Sequence, residues 1–433
     1  MPETSKHHPA LTALAVAGAG ALAWNAARLG VQLLGPTIPY RLREPINYPL
    51  DSTEFARCVS ILTSAAVCPD TTVEILHNGS AFYPAELEAI RSARQSVQLE
   101  FYEVVPGEIS RSIVDALIER ARQGVAVHLV VDALGSFGTP NSFFDGLRQA
   151  GGQMHWYHPV RFKDLPFINR RTHRKMMVVD SRVGFMGGAG IADHWIKSGK
   201  GKAPWRDTMF RVRGSAVLGM VSTLAQNWLE CSGEILTLPI AIQQERGEDA
   251  AMSLVVPSTP EEGATQARVL YQVLLDSARE SILITTPYFL PDRSARHALV
   301  RAMRERGVRV QIITNGRHID HPSIRQLSRS MELNLLRAGA EVYEYQPGMI
   351  HAKVMIVDGC WSVLGSTNFD HRSFALNNEV NMAVVDRCLA TDLQAQMAED
   401  ISRSKRVTVE RLRRRSLSTR IADNVAWLLR REA

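Results

Sequence analysis

His351–Ser373, HAKVMIVDGCWSVLGSTNFDHRS, carries two short apolar runs, Val354–Val357 and Trp361–Leu364, joined by Asp358-Gly359. An Asp-Gly pair between apolar runs predicts a tight hairpin. Alternate side chains of an extended chain share a face, so His351 and Lys353 point the same way at the strand entrance. Such a pair makes a poor metal site, because lysine only donates hydrogen bonds and repels cations. It suits an anion. The turn after the second run, Gly365-Ser366-Thr367-Asn368, offers backbone N–H, hydroxyl and amide donors to phosphate oxygens. Neither a metal nor a cofactor is expected.

The pattern occurs twice. Thr172–Ile191 reads THRKMMVVDSRVGFMGGAGI and places His173, Lys175 and Asp180 at the spacing of His351, Lys353 and Asp358. A chance H-x-K-x-x-x-x-D is expected in roughly one such chain in a hundred, so two copies argue against buried strands with incidental polar ends. Arginine outnumbers lysine 42 to 8 in this chain, yet both copies use lysine. That choice fits a compact point charge better than a planar fork.

The chain has 433 residues, room for two or three domains. Five cysteines without a C-x-x-C pair suggest neither a disulfide framework nor a zinc site. The net charge of +6 is a tail property: residues 403–433 hold ten Lys/Arg against three Asp/Glu, leaving residues 1–402 at about −1. A nucleic-acid enzyme more often spreads positive charge around its groove, so no nucleic-acid partner is expected.

From the N-terminus, residues 1–35 form a membrane anchor or signal segment. Pro9–Ala27 is uncharged and just long enough to span a bilayer. A cleaved signal peptide is the main rival, since Lys6 precedes the run and Ala21-Leu22-Ala23 resembles a cleavage site; a buried helix is the third reading. Arg28, Arg41 and Arg43 follow the run, which by the positive-inside rule puts the body in the cytoplasm. Residues 36–81, rich in proline, read as a lead-in with one strand at Thr72–Leu76. Strands alternate with helices over 82–239, the first α/β domain, and again over 264–402, the second. Residues 240–263 read as a linker. The tail, 403–433, reads as a basic amphipathic helix suited to an anionic membrane surface.

The paired motifs, each followed by Gly-Gly or Gly-Ser, resemble the phospholipase D superfamily. Thr286–Asp292 (TPYFLPD), Trp205-Arg206-Asp207, Asn227–Glu230 (NWLE) and Asn377–Asn381 (NNEVN) are similar to its bacterial cardiolipin synthase branch. The resemblance implies two α/β repeats packed about a pseudo-twofold axis, with one phosphate site between them. It also implies a phosphatidyltransferase at the bacterial inner membrane, making cardiolipin from phosphatidylglycerol, with phosphatidylethanolamine as a candidate second lipid. Hydrolysis by the same chemistry, as a phospholipase D or a nucleic-acid phosphodiesterase, is the alternative; a membrane scaffold with a dead site is a third reading. Where the family usually has Asn, this chain has Gly190, so one half lacks an amide. Asp193 or His194 is the nearby candidate to replace it.

For the chemistry, Lys175 and Lys353 with Gly188, Ser366 and Asn368 would hold the phosphoryl oxygens. One histidine attacks phosphorus while the other serves as acid and then base. The resemblance assigns attack to His173 and acid–base work to His351; the residue types alone allow the reverse. Asp180 and Asp358 are counted with the catalytic motif residues, but they sit at the far strand ends, where orienting a motif partner or bracing the turn is more plausible than direct catalysis. Glu379 is a candidate to orient a histidine.

Overall fold

Apolar runs of four to seven residues become strands, and the amphipathic stretches between them become helices that cover the sheet. The structure, a computed structural model, describes residues 18, 20, 24, 39–159, 169–197, 203–237, 250–260 and 265–413. Apart from three isolated positions, the candidate span Pro9–Ala27 lies outside the described residues, as does the tail beyond Arg413. Among the described residues no helix is long and apolar enough to cross a membrane.

The strands are β1 (Val67–His77), β2 (Ser96–Phe101), β3 (Ala126–Asp132), β4 (Gln153–Tyr157), β5 (Arg171–Thr172), β6 (Lys175–Val179), β7 (Val183–Gly187), β8 (Thr208–Arg213) and β9 (Ala251–Ser258), then β10 (Ser281–Thr285), β11 (Phe289–Leu290), β12 (Arg309–Asn315), β13 (Glu341–Tyr345), β14 (Val354–Val357), β15 (Trp361–Gly365), β16 (Phe369–Asp370), β17 (Asn377–Val385) and β18 (Ser404–Val407). One sixteen-stranded sheet runs β18-β13-β12-β10-β14-β15-β17-β9-β1-β8-β7-β6-β2-β3-β4, with β5 attached to β17. This is an α/β fold, as the sequence predicts. Strands β2, β3 and β4 are parallel, with the antiparallel hairpin β6–β7 beside β2. Strands β10, β12 and β13 are likewise parallel, with the hairpin β14–β15 beside β10.

Burial explains why these strands read as continuous apolar runs. All six residues of β2 and all five of β6 are buried, as strands covered on both faces must be. The helices are set by local signals. Asp292 accepts the N–H of Ala295 to cap the helix Arg293–Arg306, and Gly307, at φ 69°, ends it.

Three expectations change. The stretch 240–263, read as a linker, contains β9, which lies mid-sheet between β17 and β1. Pro257 disguises it, since proline cannot donate to a ladder; the pairing of β9 with β1 stops at Leu254, so Pro257 sits where only β17 flanks it. The lead-in 36–81 holds a helix, Thr53–Thr63, capped by Ser52, as well as the longer strand β1 with a register shift around Pro69. That helix packs into the second half: Phe55 lies 5.6 Å edge-on to Trp361, whose indole donates to the Leu50 carbonyl at 2.6 Å. The tail begins not as a helix but as β18, an edge strand on β13 whose exposed Lys405 and Arg406 deter further pairing.

Candidate active site

His173 and His351 each sit just before their motif strand, and each is stitched to the opposite motif half by its own backbone. The His173 N–H donates to the Asn378 carbonyl at 2.8 Å, and the His351 N–H to the Arg206 carbonyl at 2.6 Å. The residues that follow those carbonyls are Glu379 and Asp207. His173 Nδ1 lies 3.0 and 3.1 Å from the two Glu379 oxygens. His351 Nδ1 lies 2.8 Å from Asp207 Oδ2. Each half therefore supplies the carboxylate that orients the other half's histidine. With Nδ1–H donating to a carboxylate, each ring keeps its Nε2 lone pair for chemistry.

The lysines lie within the same enclosure. Lys175 Nζ donates to the His173 carbonyl at 2.6 Å and Lys353 Nζ to the His351 carbonyl at 2.7 Å. Lys353 Nζ also stands 3.0 Å from both His351 ring nitrogens. Both lysines, both histidines, Asp207 and Glu379 are buried. Aromatic rings wall the site: Tyr102 lies edge-on to His173 at 5.1 Å, and Trp195 and Trp205 lie 5.7 and 5.4 Å from His351.

Two ammonium groups in one buried site disfavour further positive charge. Burial, then Lys175 and Lys353, drives His173 well below the usual imidazole range. Burial and Lys353 pull His351 down to about 4, against the opposing pull of Asp207. Burial brings Lys353 to about 8 and Lys175 well below its usual value. The orienting carboxylates differ. Burial pushes Glu379 up to about 7, whereas at Asp207 burial is outweighed by the His351 hydrogen bond and by the charges of His351 and Lys353, which hold it low. These shifts describe a site built for an anion: a phosphodiester between the lysines would offset their charge and make an imidazolium affordable.

The other predicted residues separate by place. The Ser366 hydroxyl donates to Glu379 Oε2 and accepts the Val380 N–H, so it buttresses Glu379. Asn368 is buried, and its Oδ1 has no partner among the described residues. A Cβ at Gly188 would stand 2.5 Å from Asp207 Oδ1 and 2.7 Å from the His351 carbonyl, so only glycine lets that carboxylate approach. Asp180 and Asp358 are not at the site. Asp180 accepts the N–H groups of Arg94, Gln95 and Ser96 at 2.7–2.9 Å, and Asp358 those of Arg279, Glu280 and Ser281 at 2.7–2.8 Å. Each ties a hairpin turn to the start of the neighbouring strand, β2 or β10. Their place among the catalytic residues is corrected to a structural one.

A family model described as "Cardiolipin synthase, PLD-like domain" matches residues 87–196 and 271–401, spanning both motif copies. The cardiolipin synthase A of Pseudomonas aeruginosa is 33% identical over 354 residues, 81% of this chain and 71% of that one. The chain belongs to the cardiolipin synthase family. The cardiolipin synthase 2 of Bacillus anthracis is 34% identical over 362 residues, covering 83% of this chain and 70% of the relative. Among solved structures, the phosphatidylserine synthase of Haemophilus influenzae superposes with a TM-score of 0.67 at 15% identity, over 87% of this chain and 96% of that one, and shares the fold.

Within this cardiolipin synthase family member, the sequence signal for Asp207 is its place in Trp205-Arg206-Asp207, a segment similar to the family's; it stands outside both motifs, and nothing local pairs it with His351. Gly190 gains a physical reason. A Cβ there would lie 2.7 Å from the Glu103 carbonyl oxygen, which accepts the Ile191 N–H, and 3.0 Å from Glu103 Cβ. Asp193 does not replace the missing amide, because its carboxylate accepts the Glu108 and Ile109 N–H groups at the start of the helix Glu108–Arg122. Restoring the family's residue by Gly190→Asn is expected to cost about 1–3 kcal/mol through overpacking against fixed backbone. Thermal unfolding reads this as a lower Tm; an unchanged Tm contradicts the close approach.

Proposed function

We propose that this chain is a membrane-associated phosphatidyltransferase that makes cardiolipin from phosphatidylglycerol and a second phospholipid, phosphatidylglycerol or phosphatidylethanolamine. The observation that carries the reading is the crossed pairing of His173 with Glu379 and His351 with Asp207 around two buried lysines. We read the two halves as repeats about a pseudo-twofold axis. In its support, the ladders β2-β3-β4 and β10-β12-β13 match, and each histidine bonds the carbonyl preceding the other half's carboxylate.

His173 Nε2 attacks phosphorus, forming the N–P bond as the headgroup oxygen leaves with a proton from His351. The acceptor alcohol then gives its proton to His351 and attacks phosphorus, breaking the N–P bond. Supporting these roles, burial and both lysines hold His173 neutral, and the low-lying Asp207 carboxylate favours an imidazolium at His351. Lys175 and Lys353 balance the charge on the phosphoryl oxygens. The near-neutral body and basic tail favour an anionic membrane surface over nucleic acid, with the body on the cytoplasmic side of the bacterial inner membrane.

Transfer and hydrolysis share the intermediate. Water stands at about 55 M, so transfer needs an acceptor that is bound and oriented, an advantage that reaches effective molarities of about 10⁵ M. Purified enzyme in phosphatidylglycerol vesicles, with or without phosphatidylethanolamine, is expected to form cardiolipin faster than phosphatidic acid. Predominant phosphatidic acid replaces this reading with a hydrolase; cleavage of DNA or RNA alone removes the lipid assignment.

A further inference from the structure

Two loops at the mouth of the site bury their polar side chains and expose their apolar ones. The loop after β3, residues 133–140, holds Ser136 and Thr139 at 2% and 7% exposure and leaves Phe137 at 78% and Leu134 at 39%. The loop after β2 adds Val105, also at 39%. Hydrogen bonds join the two loops. The Ser136 hydroxyl accepts the Val104 N–H at 2.9 Å and donates to the Tyr102 carbonyl at 3.1 Å, and the Thr139 hydroxyl donates to the Val104 carbonyl at 2.5 Å. With both hydroxyls turned inward, the apolar side chains of the joined loops face outward together. A cluster of this kind beside a site marks a surface that an apolar partner covers.

Both loops are anchored to the catalytic residues. Tyr102, whose ring lies 5.1 Å from His173, packs under Gly135, where a Cβ would stand 2.3 Å from the Tyr102 carbonyl oxygen and 2.6 Å from its ring. One Asp132 oxygen accepts the Leu134 and Gly135 N–H groups at 2.8 and 2.9 Å, and the other accepts the Thr172 N–H at 3.0 Å. The apolar loop therefore starts from the residue that holds the backbone just before His173. The second half has the matching anchor: Asn315, at the end of β12, accepts the N–H of Ile350, just before His351, at 2.8 Å. The loop that follows, residues 316–322, exposes Arg317 and His321 instead of apolar side chains, and its Asp320 accepts the Tyr288 hydroxyl and the His321 N–H. The entrance thus has an apolar rim on one half and a polar rim on the other. A phospholipid surface offers both environments, acyl chains beneath headgroups. Its lipids must also reach the buried histidines without drawing their chains through water, which a docked rim provides.

Resting on the reading above, we propose that Val105, Leu134 and Phe137 form an interfacial docking surface that inserts among the acyl chains of a phospholipid bilayer and sets the mouth of the site against it, with Arg317 meeting the headgroups. Phe137 contributes most, being the largest and most exposed of the three. The contact is apolar, so it is little affected by salt, unlike the attraction of a basic tail to an anionic surface.

The test follows glycerol release by the full chain from phosphatidylglycerol in vesicles and from dihexanoyl-phosphatidylglycerol supplied as monomers in solution. Phe137→Asp is expected to lose at least about tenfold in kcat/KM on vesicles, at low and at high salt, and to stay within about twofold of wild type on the monomeric lipid. Phe137→Trp, which keeps an apolar ring, should match wild type on both. Thermal unfolding checks that the variants fold, and Leu134→Asp repeats the contrast at a neighbouring position. Wild-type activity of Phe137→Asp on vesicles, or an equal loss on both substrates, overturns the docking surface. So does a change in the oligomeric state of Phe137→Asp without lipid, measured by light scattering, which assigns the loops to a second copy of the chain. Wild-type enzyme that makes only phosphatidic acid, with the selective loss on vesicles intact, removes cardiolipin synthesis and leaves the docking surface standing. Cardiolipin formation without the selective loss removes the docking surface alone, and no turnover of either lipid removes both.

Discussion

Turnover of phosphatidylglycerol falls at least about ten-thousandfold in either His173→Ala or His351→Ala, because neither half of a two-step displacement proceeds alone. In the proposed mechanism the first loss removes the attacking imidazole; the second leaves an alkoxide leaving group with no proton. The expected magnitude combines about 10²–10⁴ for acid–base catalysis with the loss of the covalent route. Methyl for imidazole leaves a cavity lined by Trp195 and Trp205 in one case and by Tyr102 in the other, so both variants should stay folded. Cardiolipin formation in vesicles measures the effect. Either variant retaining a hundredth of the wild-type rate contradicts the assignment of both histidines.

The second large effect concerns the crossed carboxylates. Asp207→Asn and Glu379→Gln keep the shape but remove the charge that fixes Nδ1–H and holds an imidazolium. Orienting partners of functional histidines are typically worth about 10–100-fold, and a buried one near the upper end. We expect at least about a hundredfold loss in kcat for Asp207→Asn. Trp195 Nε1 and the Thr208 N–H, at 3.1 and 2.8 Å from its oxygens, have no other acceptor placed for them, so an amide cannot satisfy all three donors. Glu379→Gln is expected to lose less, because burial has already brought Glu379 up to about 7. Steady-state rates check the order; equal and small losses contradict crossed orientation.

The motif residues were legible because their chemistry is local. A His and a Lys two apart at a strand entrance, twice in one chain, announce an anion site before any fold is known. The strands beside them were legible for the same reason: β2 and β6 are buried throughout and β10 at all but its first residue, so their apolar runs stand out. What the sequence withheld is long-range. Asp207 becomes a partner of His351 only when the Arg206 carbonyl meets the His351 N–H, a contact across more than a hundred residues. Ser366 reads as a phosphate ligand because its hydroxyl is available in sequence; the fold commits it to Glu379. Strand β9 hid behind Pro257, whose missing N–H costs nothing where one neighbour is absent. Gly190 read as a lost amide, whereas the fold shows room taken up by Glu103.

The most direct measurement is the site of the covalent intermediate. His351→Ala enzyme, incubated with phosphatidyl-p-nitrophenol, whose aryl oxide departs without a proton, then quenched in base to preserve the N–P bond and digested, should carry a phosphatidyl group on the peptide containing His173 by mass spectrometry. His173→Ala enzyme should carry none. A phosphatidyl group on His351 in the His173→Ala enzyme, or no adduct in either, contradicts attack by His173.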